Sequence, residues 1–141
     1  TFWFWPNVDA GSDQISKGLR RFRETDSSSS IYFFKNMMPE DFLRLLVGAR
    51  CLIGNSSVGI REASYLGVPV VNIGNRQQGR DRARNVIDVG HSSAEIVEAV
   101  QRHLSNGRYP SSLLYGDGKA GERIAQIVAR VPLTVEKRIC Y

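Results

Sequence analysis

The stretch from Cys51 to Ile73 constrains the fold of this chain more than any other part of it. An apolar run at 51–53 leads into a polar turn at 54–57, and apolar residues at helical spacing then continue to Leu66. A Gly-Val-Pro segment separates that pattern from a second apolar run at 70–73. The order predicts a strand, a turn, a helix and a second strand.

The same alternation of short apolar runs and amphipathic patterns extends along the chain. It predicts an α/β fold with a parallel, doubly wound sheet, which is a three-layer Rossmann-like domain. At 141 residues the chain can bury a core, so we expect a single domain over 1–141. Three apolar residues of the last helix, Ile124, Ile127 and Val128, are expected to face that core. The predicted strands are 2–5, 31–34, 51–53, 70–73 and 86–89, and the predicted helices are 14–23, 39–47, the helix ending at 66, 92–105 and 120–131.

The polar turn after the third predicted strand has the chemistry of an anion-binding site. Asn55, Ser56 and Ser57 are favoured N-cap residues, and the backbone N–H groups that open a helix are unpaired and partly positive. Gly59 is expected to keep the surface low, so that a bulky ligand reaches the backbone. A phosphate group fits this turn, although an ordinary capped helix without a ligand has the same pattern.

Two charged residues accompany this turn. Glu62 lies about a turn and a half into the predicted helix, on the side of its cap, and Arg76 follows the next predicted strand. A carboxylate accepts hydrogen bonds from sugar hydroxyls, and a guanidinium is a permanent cation for phosphate. The pair therefore suits a phosphorylated sugar, but a surface Glu and a surface Arg are equally ordinary in such a domain.

Polar residues also follow the first two predicted strands. Asn7 comes after the run 2–5, and Asn36 and Met37 come after the run 31–34. Ligands of open α/β sheets bind at the carboxyl ends of the strands. Asn36 and Met37 can therefore flank a flat base, while methionine in such a position also serves as a simple packing residue.

Charge, cysteine content and hydropathy narrow the function classes. The net charge of +5 is spread along the chain, and its one tight basic cluster, at 20–23, is expected on a solvated helix face, so nucleic-acid binding is not predicted. Two cysteines, Cys51 and Cys140, suggest no disulfide framework and favour a reducing, cytoplasmic setting. No apolar stretch approaches the roughly 20 residues that span a bilayer, so no membrane partner is predicted.

Common catalytic and cofactor motifs are missing from the sequence. It contains neither a GxGxxG segment opening a βα unit nor a GxxxxGK[ST] segment, so the usual dinucleotide and P-loop sites are not supported. The turn at 54–59 does not match the GxSxG nucleophile elbow. His91 and His103 have no neighbours at metal-ligand spacing, so we expect neither a metal nor another cofactor.

Three segments together resemble a known family. They are WPNVDAGSD near the start, GNSSVGIREASYLGVPVVNIGNRQQGRDRARNVI in the middle and YGDGKAGERI near the end. They closely resemble the carboxyl-terminal domain of UDP-N-acetylglucosamine 2-epimerases. The likeness covers the chain from about Phe4 to about Val131. The sequence SSVG at 56–59, where the non-hydrolysing branch typically has DSGG, favours the hydrolysing branch.

The resemblance implies an architecture and a reaction. The fold would be the second half of a GT-B arrangement, in which two Rossmann-like domains hold a UDP-sugar in their cleft. The family eliminates UDP to give a glycal-like intermediate and then adds water, which inverts carbon 2 and releases N-acetylmannosamine or a related sugar. Most acid and base residues would belong to the first domain, upstream of Thr1. We therefore expect that the isolated chain binds nucleotide weakly at best and does not turn over.

Individual binding roles follow from the same resemblance. Glu62 would accept hydrogen bonds from both ribose hydroxyls, and Arg76 would lie beside the nucleotide. Asn7 would face the sugar. The remaining pairs would be Ser56 and Ser57 at the diphosphate, and Asn36 and Met37 at the uracil. No residue of this chain is assigned a catalytic role.

Other interpretations stay open at this point. The sequence also fits a stand-alone nucleotide-sugar-binding or interaction module, the donor half of a GT-B glycosyltransferase, or a purely structural Rossmann-like domain. Because the sequence opens directly on an apolar run at 2–5, we expect it to be part of a larger protein. The expected partners are UDP or a UDP-sugar, together with either a second copy of the chain or the missing amino-terminal domain.

Overall fold

The computed structural model describes residues 1–6, 12–25 and 30–132. It divides into two compact units, Thr1–Leu45 and Leu46–Tyr141, and each is considered by itself. The elements in chain order are β1 (Phe2–Phe4), α1 (Ser12–Thr25), β2 (Tyr32–Phe34), α2 (Pro39–Gly48), β3 (Leu52–Gly54), α3 (Ser57–Ile60), α4 (Glu62–Leu66), β4 (Val70–Ile73), β5 (Val86–Val89), α5 (Ser93–Asn106) and α6 (Ala120–Val128).

The first unit is built on the parallel pair of β1 and β2. The two strands are in register, with Phe2 opposite Tyr32 and Phe4 opposite Phe34. Aromatic rings stack along the pair, and Phe4 also meets the edge of Phe42 from α2, with ring centroids 5.3 Å apart. Aromatic residues suit strands because they pack across neighbouring strands, so this run forms the sheet of the first unit.

The second unit contains a three-stranded parallel sheet in the order β3, β4, β5. Its middle strand is buried on both faces, because Val70 and Val71 point to opposite sides and both are buried. Helix α3 contacts β3 and β4, and α5 contacts β4 and β5. The fold class predicted from the sequence is confirmed, since the chain is a Rossmann-like α/β structure with parallel sheets.

Gly59 has a different role from the one expected. The residue is buried in α3, and a Cβ placed on it would lie 2.9 Å from Cγ1 of Val70 and 3.5 Å from Cδ2 of Leu52. Its missing side chain therefore lets α3 approach the sheet closely. The expectation that Gly59 opens the surface to a ligand is wrong, because the residue faces the core.

The helix expected to run unbroken to Leu66 is divided into α3 and α4. Arg61 separates them as a single turn residue, with φ of −97° and ψ of −74°, a distorted form of the right-handed helical conformation. The Oγ atom of buried Ser64 donates to the carbonyl of Ile60 at 2.7 Å. Such a serine bond to the carbonyl four residues earlier bends helices. As a result, Glu62 opens the second segment instead of lying within a continuous helix.

The last helix does not bury the face that its pattern suggested. Ile124, Ile127 and Val128 are 58%, 61% and 59% exposed, so the expectation that they face the core is wrong. An amphipathic pattern identifies the apolar side of a helix but does not tell whether anything covers it. The structure also ends α6 at Val128, before the predicted end at residue 131. Within the residues that the structure describes, no helix is long and apolar enough to cross a membrane.

The bend after α4 yields a first prediction. Gly67 ends α4 with φ of 65°, and a Cβ there would lie 2.1 Å from the carbonyl oxygen of Tyr109. Gly79 has a similar φ of 79° but open space around its Cα. We expect Gly79→Ala to lower the free energy of unfolding by about 1–2 kcal/mol, from backbone strain alone. Gly67→Ala should cost roughly 3 kcal/mol or more, because strain and overpacking add. Urea unfolding measures both, and equal losses would contradict this account.

Buried His103 yields a second prediction. Its Nε2 donates to the carbonyl of Val70 at 3.0 Å, and its Nδ1 accepts from the Tyr109 hydroxyl at 3.2 Å. Burial lowers the pKa of His103 below its ordinary 6.5, so the unfolded chain binds this proton more readily. The free energy of unfolding should therefore fall as pH drops below about 6.5, by at most about 1.4 kcal/mol per pH unit.

The measurement is urea unfolding between about pH 7.5 and about pH 5.5, above the range where most carboxylates titrate. The matched variant is His103→Gln, whose amide can donate to Val70 and accept from Tyr109 but does not titrate. We expect a smaller loss of stability on acidification in the variant. Identical pH dependence in the two proteins would show that His103 does not contribute.

Candidate functional site

The turn after β3 presents two serine side chains at the carboxyl end of the sheet. Gly54 ends β3, and Ser56 follows as the N-cap of α3 with an extended backbone. The Ser56 Oγ accepts a long hydrogen bond, 3.4 Å, from the backbone N–H of Val58. Ser56 is exposed and Ser57, the first residue of α3, is half-buried. Both hydroxyls therefore belong to the short segment that links the strand to the helices.

Glu62 carries an unusual carboxylate. The residue is half-buried at the start of α4, and its Oε2 atom is shielded from solvent. This oxygen has no hydrogen-bond partner among the residues that the structure describes. A shielded acceptor without a donor costs about 1–3 kcal/mol, and more when it is charged. Within the described structure, this carboxylate therefore keeps unused capacity to accept a hydrogen bond.

Gln77 connects the loop after β4 to the turn after β3. Its side chain is buried, and its Nε2 donates to the backbone carbonyl of Asn55 at 2.8 Å. This bond holds the loop that carries Arg76 next to the turn that carries Ser56. Arg76 itself is exposed. The second unit thus brings together the regions of Ser56, Ser57 and Arg76, as strand ends of one parallel sheet should.

Arg82 fixes the same loop from its other end. Its Nε lies 3.0 and 3.2 Å from the two carboxylate oxygens of Asp88 in β5, and its Nη2 donates to the Gln77 carbonyl at 2.9 Å. Asp88 also accepts from Nδ2 of buried Asn72 at 2.6 Å. Sequence reasoning missed these partners. The polar stretch at 77–84 marks a loop, but no local pattern tells which of its side chains turn inward.

The remaining candidates are not part of the second unit. Asn36 and Met37 belong to the first unit, where the Asn36 Oδ1 accepts a hydrogen bond from the Met37 backbone N–H at 2.9 Å. Asn36 is exposed and Met37 is half-buried. Asn7 lies outside the described residues, so its expected position facing a sugar stays a prediction.

Cys51 is unsuited to act as a nucleophile. Burial raises the pKa of its thiol to about 11, and a hydrogen bond with the backbone of Val71 opposes that rise only in part. The nucleophilic form of cysteine is the thiolate, which is scarce far below its pKa. The chemistry that the second unit offers is therefore hydrogen bonding and charge, from Ser56, Ser57, Glu62 and Arg76.

Comparison with known proteins identifies a family. A family model described as UDP-N-acetylglucosamine 2-epimerase matches residues 1–129, which is nearly the whole chain. The match includes every candidate binding residue named above. It agrees with the resemblance drawn from the three sequence segments.

Curated relatives support the same assignment. The UDP-N,N'-diacetylbacillosamine 2-epimerase (hydrolyzing) of Legionella pneumophila is 33% identical over 128 residues, covering 91% of this chain and 33% of that protein. The UDP-N-acetylglucosamine 2-epimerase of Neisseria meningitidis is 32% identical over 127 residues, covering 88% and 33%. A GDP/UDP-N,N'-diacetylbacillosamine 2-epimerase (hydrolyzing) of Campylobacter jejuni is 37% identical over 82 residues, covering 58% and 21%. The chain thus spans about one third of the length of the first two.

Proposed function

Because this chain belongs to the UDP-N-acetylglucosamine 2-epimerase family, we propose that it is the UDP-sugar-binding, carboxyl-terminal domain of a hydrolysing member. Two relatives whose names include the word hydrolyzing support the choice of branch. The chain matches only about a third of the first two relatives, which fits one domain of a two-domain, GT-B-like enzyme. The ligand would be UDP-N-acetylglucosamine or a modified relative of it.

The observation that carries this proposal is the shielded Oε2 of Glu62, which has no hydrogen-bond partner within residues 1–6, 12–25 and 30–132. A ribose offers two neighbouring hydroxyl donors, and an ionised carboxylate accepts hydrogen bonds at both of its oxygens. Hydrogen bonds to a charged acceptor are stronger than neutral ones, and a partly shielded site strengthens them further. Glu62 is therefore the proposed anchor of the ribose.

The diphosphate would sit beside the turn after β3. The hydroxyls of Ser56 and Ser57 are donors, and the exposed Arg76 supplies positive charge from the neighbouring loop. The bond from Gln77 to the Asn55 carbonyl supports this placement, because it ties that loop to the turn. For the other parts of the ligand we propose Asn36 and Met37 as neighbours of the uracil and Asn7 as a neighbour of the sugar.

The reaction of the family explains what such a domain contributes. When UDP is eliminated, negative charge develops on the departing diphosphate, so donors and a cation placed there lower the barrier. Ser56, Ser57 and Arg76 would provide that stabilisation, while Glu62 holds the nucleotide in position. Proton removal from the sugar would be the task of acid and base residues in the other domain.

Binding of UDP tests the role of Glu62. Ligand-observed NMR titration of the whole 141-residue chain with UDP should give a saturable, weak affinity. Glu62→Ala should weaken that affinity roughly tenfold or more, because charge-assisted hydrogen bonds are lost. The control is Glu122→Ala, which removes an exposed carboxylate of equal charge from α6 and should leave the affinity unchanged.

A UDP analogue lacking both ribose hydroxyls tests whether Glu62 contacts those hydroxyls. The native chain should bind this analogue roughly tenfold more weakly than UDP. The Glu62→Ala chain should bind UDP and the analogue equally, because the interacting partner is already gone. An undiminished UDP affinity in Glu62→Ala, or the same penalty for the analogue in both chains, would refute the proposed anchor.

We predict that the chain alone does not catalyse the epimerase reaction. We expect no N-acetylmannosamine and no free UDP when it is incubated with UDP-N-acetylglucosamine and followed by proton NMR. The physical reason is that the proposed site binds and stabilises charge but supplies no base for carbon 2. Robust release of both products would contradict the assignment to a binding domain.

A further inference from the structure

The side chain of Gln77 is buried although the residue belongs to a loop, and it links that loop to the turn after β3. Its residue is only 4% exposed, and its Nε2 donates to the carbonyl of Asn55, immediately before the N-cap Ser56. The side-chain oxygen of Gln77, Oε1, is shielded and has no partner among the described residues. A shielded amide oxygen without a partner costs free energy, so the loop conformation that buries Gln77 needs support from other bonds.

Arg82 supplies that restraint. Its Nη2 donates to the Gln77 backbone carbonyl at 2.9 Å, and its Nη1 donates to the carbonyl of Arg80, so one guanidinium binds two backbone carbonyls of the loop. A planar guanidinium has donors in a fixed arrangement, which lysine lacks. Arg82 therefore sets the shape of the loop as well as its position.

Asp88 anchors this guanidinium to the sheet. Both of its carboxylate oxygens accept from Nε of Arg82, and one also accepts from Nδ2 of Asn72 in β4. Asn72 and Asp88 are register partners in neighbouring strands, and Asn72 is buried. A continuous chain of hydrogen bonds thus runs from β5 through Arg82 and Gln77 to the Asn55 carbonyl.

We propose that Arg82 is a positioning residue, which acts through Asp88 and Gln77 to hold the Asn55–Ser57 turn in the geometry that binds the UDP diphosphate. This inference rests on the proposed function, which assigns Ser56 and Ser57 to that group. The described bonds of the Arg82 guanidinium go to Asp88 and to the carbonyls of Gln77 and Arg80, which is why the proposed role is positioning. A displacement of about 1 Å in a binding group is enough to weaken its contacts severely, so the restraint matters for affinity.

The test compares Arg82→Gln with Arg84→Gln in the full chain, using UDP as the probe. Both changes remove one positive charge from the same loop, so the general attraction of UDP falls equally in the two. Arg84 is exposed and lies outside the hydrogen-bond chain. We expect Arg82→Gln to bind UDP roughly tenfold more weakly than Arg84→Gln, because only the former releases the turn.

A second readout needs no ligand. In amide NMR spectra, Arg82→Gln should shift the resonances of Asn55, Ser56 and Ser57, whereas Arg84→Gln should leave them in place. If Arg82→Gln is unfolded at the assay temperature, Asp88→Asn takes its place. That variant keeps the side-chain shape but weakens the hold of β5 on Arg82, so it should change the spectra and the affinity in the same direction.

The outcomes separate this inference from the proposed function. Equal UDP affinities for the Arg82 and Arg84 variants, or unchanged Asn55–Ser57 resonances in the folded Arg82 variant, would overturn the role of Arg82. In that case native binding and the effect of Glu62→Ala would remain. If the native chain shows no saturable UDP binding, the proposed function fails, and the positioning role fails with it.

Discussion

Burial of the short strand β4 on both faces is the constraint on which the second unit depends. Val70 faces the helix that Gly59 allows to approach, and Val71 faces the opposite side. Because β4 pairs with β3 on one edge and β5 on the other, it fixes where both strands end. The turn that carries Ser56 and Ser57, and the loop that carries Arg76, therefore emerge at one edge of the sheet.

Hydrogen bonds then fix the conformation of the turn after β3 and of the loop after β4. Apolar burial has no direction, so it cannot alone fix a turn within the tolerance that ligand binding requires. The bonds from Gln77 to Asn55 and from Arg82 to Asp88 are directional and link three separate segments. Two shielded oxygens, Oε2 of Glu62 and Oε1 of Gln77, have no hydrogen-bond partner among the described residues, and of these Oε2 belongs to a carboxylate. A ribose supplies a donor to that carboxylate in the proposed complex.

Local sequence patterns predicted the strands well where an apolar run is bounded by turn-forming residues. The strands at Val70–Ile73 and Val86–Val89 lie where their apolar runs predicted them, because turn-forming residues bound those runs. The break at Arg61 and the contact of Gly59 with Val70 were missed, since both depend on packing between distant parts of the chain. The same holds for Arg82, whose pairing with Asp88 leaves no periodic signal. Family membership, in contrast, was recognisable from the motif at 54–87 and is confirmed.

The central claim is that the carboxylate of Glu62 anchors the ribose of UDP. The most direct measurement is a crystal structure of the chain soaked with UDP. This account predicts both ribose hydroxyls within hydrogen-bonding distance of the Glu62 carboxylate, with the diphosphate against Ser56 and Ser57. UDP bound at another surface, or a Glu62 carboxylate that makes no contact with the bound nucleotide, would contradict it.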